Sequence, residues 1–98
     1  MSYAEHATAD YRLTILKALT EEDDNRLNET LIERVLETFG HTKSRDYLRT
    51  QLKKLEDLGA VKLTEPGSVY VAELLRPGLD HVERRSFLEG VLKPSIGG

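Results

Sequence analysis

The sequence predicts a mainly helical domain with one small β-hairpin, on three observations. Apolar residues recur at spacings of three and four through most of the chain up to Leu58, the mark of amphipathic helices. Gly40 and Gly59 stand just beyond two of these periodic stretches, where helices end. After Gly59 the pattern changes to alternation on either side of Glu65-Pro66-Gly67-Ser68, as expected of a hairpin.

The first helix is expected from about Ala7 to Leu19, with Leu13, Ile15, Leu16 and Leu19 on its apolar side, and Thr20–Asp24 follows as a polar loop. Asn28 is placed to cap the second helix. Glu29 stands in its first turn, where the helix dipole favours a carboxylate, and Leu27 and Ile32 are spaced as a hydrophobic staple. Its buried face reads as Leu31, Ile32, Val35, Leu36 and Phe39, with Gly40 as the left-handed exit. The third helix begins at Thr42 or Ser44, either of which can cap it, and carries the rail Leu48, Leu52, Leu55 and Leu58. It ends at Gly59, where Ala60 and Leu55 are placed for the apolar contact of a Schellman motif.

The hairpin pairs Ala60–Thr64 with Val69–Glu73 across a type II turn that has Pro66 and Gly67 at its centre. Val61, Leu63, Val69 and Val71 form its half-buried face. A short fourth helix, Arg76–Arg85, has Pro77 near its start. The order helix-helix-helix-strand-strand-helix is that of a winged helix-turn-helix. One domain spans 1–98, with a core over 7–85 and a C-terminal arm over 86–98. In the arm Phe87, Leu88, Val91 and Leu92 are apolar and Lys93–Gly98 reads as frayed. The arm either folds back on its own core or completes a homodimer.

Composition narrows the function. Ninety-eight residues support a single modest core, and fractions of 39% hydrophobic and 32% charged fit a soluble globular protein. No apolar run approaches the roughly 20 residues that span a bilayer, so no membrane is expected. The start, MSYAEHATADYR, lacks the basic and apolar blocks of a secretory signal. There is no cysteine for disulfides or thiolate metal sites, and a cytoplasmic protein is expected. The net charge is −3, unevenly distributed. Residues 1–42 hold nine acids and four bases, 55–98 hold seven acids and five bases, and 43–54 hold five bases against Asp46 alone.

That cationic segment is the third helix, and a helix entering the major groove needs an apolar side for anchorage and a cationic side for DNA. Arg49 and Thr50 sit mid-face, where they can reach base edges. Lys43, Arg45, Lys53 and Lys54 suit phosphate, and Ser44 opens the helix. The bland reading is a solvated helix face. The wing carries Glu65 at its tip and only Lys62 as a cation in its strands, which suits a structural role. Arg84 and Arg85 are read as complementing the dipole at the end of the fourth helix. His6, His41 and His81 are widely spaced and are expected at exposed or cap-adjacent positions, so no metal site is expected. No cofactor loop or nucleophile-base pattern stands out, and an enzyme is not expected.

The stretches LRTQLKKLEDLGAVKL and VYVAELLRPGLDHVE are similar to the ending of many winged helix-turn-helix regulators. In those a leucine-leucine-glycine-like turn closes the recognition helix and a threonine-x-x-glycine start opens the last one. Here Leu75-Arg76-Pro77-Gly78 stands in that place without the threonine. More narrowly, the YRLTILKAL opening, the SRDYLRTQLKKLEDLG core and an arm ending near lysine-proline resemble small winged helix-turn-helix proteins of Mu-like prophages over nearly the whole chain. The resemblance implies a phage or prophage origin and a winged-helix domain, and by analogy permits binding of double-stranded DNA. The resulting expectation is a DNA-binding regulator with the third helix in the major groove. Its rival is a protein-interaction module that docks another phage protein through the acidic surface of the first two helices.

Overall fold

The computed structural model describes residues 2–96. In chain order the elements are α1 (Tyr3–Thr20), β1 (Arg26–Asn28), α2 (Glu29–Thr38), α3 (Arg45–Asp57), β2 (Val61–Thr64), β3 (Val71–Leu74) and α4 (Arg76–Val82). Four helices thus share one core with an antiparallel sheet of order β1-β3-β2. Ile15, Leu16 and Leu19 of α1 meet Ile32 and Leu36 of α2 and Leu48, Leu52 and Leu55 of α3, and Val61 and Ala72 close the sheet side.

Helix α1 begins a turn earlier than its apolar periodicity indicated, because Ser2 caps it by accepting the Glu5 N–H at 3.1 Å. Asn28 and Ser44 cap α2 and α3 in the same way, accepting from Leu31 N at 2.9 Å and from Tyr47 N at 3.1 Å. Helix α3 closes with a Schellman motif: Ala60 N donates to Leu55 O and Gly59 N to Glu56 O, each at 2.9 Å, with Gly59 at φ +76°.

The architecture corrects the expected element order, since a strand, β1, stands between the first two helices. Arg26, Leu27 and Asn28 pair with Glu73, Ala72 and Val71, making β3 the central strand. The expected face of α2 is also corrected. Ile32 and Leu36 are buried and Val35 is half-buried, but Leu31 is 49% exposed and Phe39 69% exposed, because among the described residues no element covers that edge of the helix.

The hairpin register moves by two residues. Val61 pairs with Leu74 and Thr64 with Val71, leaving residues 65–70 as the loop, with Gly67 at φ +65°. Ala72 and Leu74 stand opposite Leu63 and Val61 and share their core face, whereas Val69 and Val71 do not. The shift of two keeps each residue on its own face, and it is the expected face of the second strand that is corrected. The cause of the shift lies on α2: Glu29 N donates to Tyr70 O at 2.9 Å and Tyr70 N donates to Glu29 Oε1 at 3.1 Å. Those bonds take Tyr70 out of the hairpin ladder.

Helix α4 stops at Val82, three residues before the expected end, and Arg84 adopts a left-handed conformation at φ +62°. Arg84 and Arg85 thus lie beyond the helix. Arg84 donates to the Pro94 carbonyl and Arg85 pairs with Glu83 at 3.0 Å. The arm folds back on its own core: Val91 is buried, Leu92 N donates to Ala9 O at 3.1 Å, and Arg12 reaches the Gly90 carbonyl at 2.9 Å. His81 is fully buried rather than exposed. Its Nδ1 accepts the Leu88 N–H at 2.9 Å, so the ring proton lies on Nε2, which donates to Leu92 O at 2.8 Å. Phe87 and Ile96 remain exposed, and Gly97 and Gly98 of the expected frayed end lie outside the described residues.

Candidate nucleic-acid interface

Helix α3 presents Leu48, Gln51, Leu52 and Leu55 to the core. Gln51 is held there by Arg12, whose Nε donates to its Oε1 at 2.8 Å. Asp46, Thr50, Lys53 and Lys54 are exposed on the opposite side, with Lys43 and Ser44 at the helix start. The structure thus groups Lys43, Ser44, Thr50, Lys53 and Lys54 on an accessible face. The two arginines are placed differently.

Arg49 is bracketed by a carboxylate that the sequence reading had assigned to the helix dipole. Its Nε donates to Glu29 Oε2 at 2.8 Å and its Nη2 to Glu29 Oε1 at 2.6 Å, a bidentate pair. The same Nη2 donates to the Ser68 carbonyl at 2.8 Å, and the guanidinium lies 4.5 Å from the Tyr70 ring centroid. Arg45 donates from Nη2 to Glu33 Oε1 at 3.1 Å and stands 3.5 Å from Glu29. Glu29 is fully buried, and its carboxyl lies below the ordinary value because the Arg49 hydrogen bonds outweigh the cost of burial. The same bonds raise the already high pKa of Arg49, and Glu33 raises that of Arg45. Both arginines are permanently charged, and both have that charge answered inside the protein.

Glu29, Glu33 and Tyr70 are the residues that sequence reasoning missed here. Glu29 carried a signal: with Ile32 and Leu36 it completes a spacing of three and four along one face of α2. An acid on an apolar helix face needs a buried partner. Arg49 is that partner.

The outward positive charge of the segment therefore rests on Lys43, Lys53 and Lys54. Lys43 lies 5.4 Å from the Tyr47 ring centroid and Lys53 lies 5.8 Å from that of Tyr70. Thr50 is mid-face, and its hydroxyl donates to the Asp46 carbonyl at 3.0 Å, leaving the oxygen lone pairs to accept from outside. Ser44 is engaged as the helix cap. The loop at 65–70 is fixed beside α3 by Arg49 and Tyr70, with Glu65 exposed. Among the described residues no group of three or more His, Asp or Glu is arranged to hold a metal ion, and no helix is long and apolar enough to cross a membrane.

The chain is 34% identical over 87 residues to the uncharacterized protein gp26 of Escherichia phage Mu, covering 89% of this chain and 90% of that protein. It belongs to the gp26 family. A second relative, an uncharacterized protein of Haemophilus influenzae, is 40% identical over 63 residues, 64% of this chain and 61% of its own length. No family model and no solved structure matches the chain. In the match to the phage gp26 protein the aligned length exceeds what α3 and the hairpin occupy, so the kinship extends well beyond the cationic segment.

Proposed function

We propose that this gp26-family protein is a winged-helix DNA-binding regulator of phage or prophage origin that works in the cytoplasm and meets duplex DNA through α3. The observation that carries the reading is the exposed face of α3, where Lys43, Lys53 and Lys54 flank Thr50 while the leucine rail anchors the helix in the core. The element order supports it. Helix α2 leads through a short turn into α3, and the β2–β3 loop stands beside α3 as a wing would. In this reading the three lysines meet phosphates as point charges, and Thr50 accepts from a base edge or bridging water. Arg49 holds the wing to α3, its Nε and Nη2 engaged by Glu29 and the Ser68 carbonyl.

The test is fluorescence anisotropy of a random duplex titrated at two salt concentrations. Three phosphate contacts give a slope of about −2.7 in log K against log salt, so affinity falls roughly 40-fold between about 50 and 200 mM. Replacing Lys53 and Lys54 together by alanine should reduce the slope by about 2. Absence of binding at low salt, or a slope unchanged in the double variant, overturns the proposal and leaves a DNA-free interaction module in its place.

A further inference from the structure

A different face of the molecule carries an apolar surface that the fold does not use. Leu31, Val35 and Phe39 recur every fourth residue along the outer edge of α2. Their spacing reads as core, yet Leu31 and Phe39 are largely open to solvent. Over eight residues at about 1.5 Å each the stripe is about 12 Å long, a little over two helical turns. Two adjoining concavities run beside it. One, of about 300 Å³, lies between α1 and α2 against Leu13, Ala18, Val35 and Phe39. The other, of about 340 Å³, lies by Leu27, Leu31 and Val71, and Glu22 borders both.

The rim is acidic. Asp10, Glu21, Glu22 and Asp24 border the two hollows, against Lys17 and Arg26. Asp10 is engaged by His41 at 2.8 Å and Asp24 accepts the Arg26 N–H at 3.1 Å, while the side chains of Glu21 and Glu22 make no ion pair or hydrogen bond among the described residues. Such a face repels nucleic acid and attracts cations. An apolar stripe of two turns inside an acidic border has the geometry that receives an amphipathic helix, with anchors at i, i+3, i+4 and i+7. We infer that the α1–α2 face docks a basic amphipathic helix of a partner protein. Its leucine-like anchors would enter the two hollows and its lysines or arginines would face Glu21 and Glu22. This surface is independent of α3.

The experiment uses the full chain and a fluorescein-labelled peptide of leucine and lysine, with leucines at i, i+3, i+4 and i+7. A second peptide carries glutamate in place of each lysine. The lysine peptide should bind, gain helicity by circular dichroism, and perturb amide resonances of α1 and α2. Phe39→Ser should weaken it about tenfold or more, as expected for an anchor-pocket residue. That substitution leaves the core intact, since Phe39 is 69% exposed, and an unchanged far-ultraviolet spectrum will confirm folding. Glu21→Lys with Glu22→Lys should also weaken binding, whereas Lys53→Ala with Lys54→Ala should leave it unaltered, separating this face from the DNA reading. Equal binding of the glutamate peptide, no binding of either peptide, or indifference to Phe39→Ser overturns the inference. So does sedimentation of the wild type as a dimer that Phe39→Ser converts to monomer, because the occupant would then be a second copy.

Discussion

Glu29→Gln tests whether one buried carboxylate joins α2, α3 and the β2–β3 loop. The replacement has nearly the same shape and keeps an acceptor for the Tyr70 N–H, but it sets an amide NH₂ against the Arg49 fork. One of the two bonds at 2.6 and 2.8 Å is lost, the other keeps its cationic donor but loses its anionic acceptor, and Arg45 loses a carboxylate 3.5 Å away. Hydrogen bonds to charged groups contribute about 1.5–3 kcal/mol each. The Arg49 side chain is 31% exposed, so solvent screening argues for the lower part of that range. The expected loss is about 2–3 kcal/mol, against about 5–15 kcal/mol for the whole domain. For a chain of this size that lowers Tm by about 8–24 °C.

The pH dependence supplies an independent arm. The Glu29 carboxyl lies below its ordinary value of 4.5 in the folded protein, so its contribution is complete above that value and is lost as pH falls through the folded-state value. Urea denaturation followed by circular dichroism at neutral and acid pH should show a wide gap between wild type and variant that narrows on acidification. A gap under about 0.5 kcal/mol at neutral pH, the scale of ordinary surface substitutions, would refute the reasoning. A gap that persists unchanged in acid would also refute it.

Three further predictions concern the scaffold. Gly78→Ala should destabilise α4 against the sheet, because the added Cβ would stand 2.5 Å from the Ala60 carbonyl oxygen, a backbone atom that cannot swing aside; a fall in urea midpoint without a change in m-value checks it. His81→Leu strips the partners from Leu88 N–H and Leu92 C=O, at about 1–3 kcal/mol for each group left unsatisfied, and should speed amide exchange at Leu88 and proteolysis of the arm. Ser44→Ala removes the acceptor for Tyr47 N and should cost about 1 kcal/mol in thermal or urea unfolding while leaving the fold unchanged.

The features that could be read in the sequence were local ones. Asn28 and Ser44 reveal themselves as caps because each acts within three residues, and Gly40 and Gly59 mark helix ends because φ of +88° and +76° suits a residue without a Cβ. The Schellman closure at Leu55–Ala60 is legible for the same reason. Strand β1 was not, since Arg26-Leu27-Asn28 has no extended signal of its own and is a strand only through its partners on β3. The hairpin register failed on a long-range cause, the capture of Tyr70 by Glu29 forty-one residues away. Leu31 and Phe39 were misplaced because periodicity shows which residues share a face and says nothing about whether a neighbour covers it.

The candidate site shows the same division in its electrostatics. Counted along the chain, residues 43–54 carry five cations against one acid. In space, Glu29 and Glu33 arrive from α2 and answer Arg45 and Arg49, so the outward cations of this segment are three lysines rather than five, beside the exposed Asp46. The difference bears on chemistry as well as magnitude. Arginine's planar fork is the group that reads a guanine edge in two bonds, and here that fork is already fitted to a carboxylate and a carbonyl. Lysines are compact charges on flexible stems, suited to phosphates of any sequence. Thr50 is left as the mid-face group with capacity to accept a hydrogen bond from outside. On the DNA-binding reading proposed above, a helix so equipped would hold a duplex by its backbone more readily than it would choose among sequences, and choice would require a ligand able to draw Arg49 away from Glu29. Because the same arginine holds the Ser68 carbonyl and lies against the Tyr70 ring, that exchange would free the β2–β3 loop at Ser68 while Glu29 keeps its two bonds to the Tyr70 backbone.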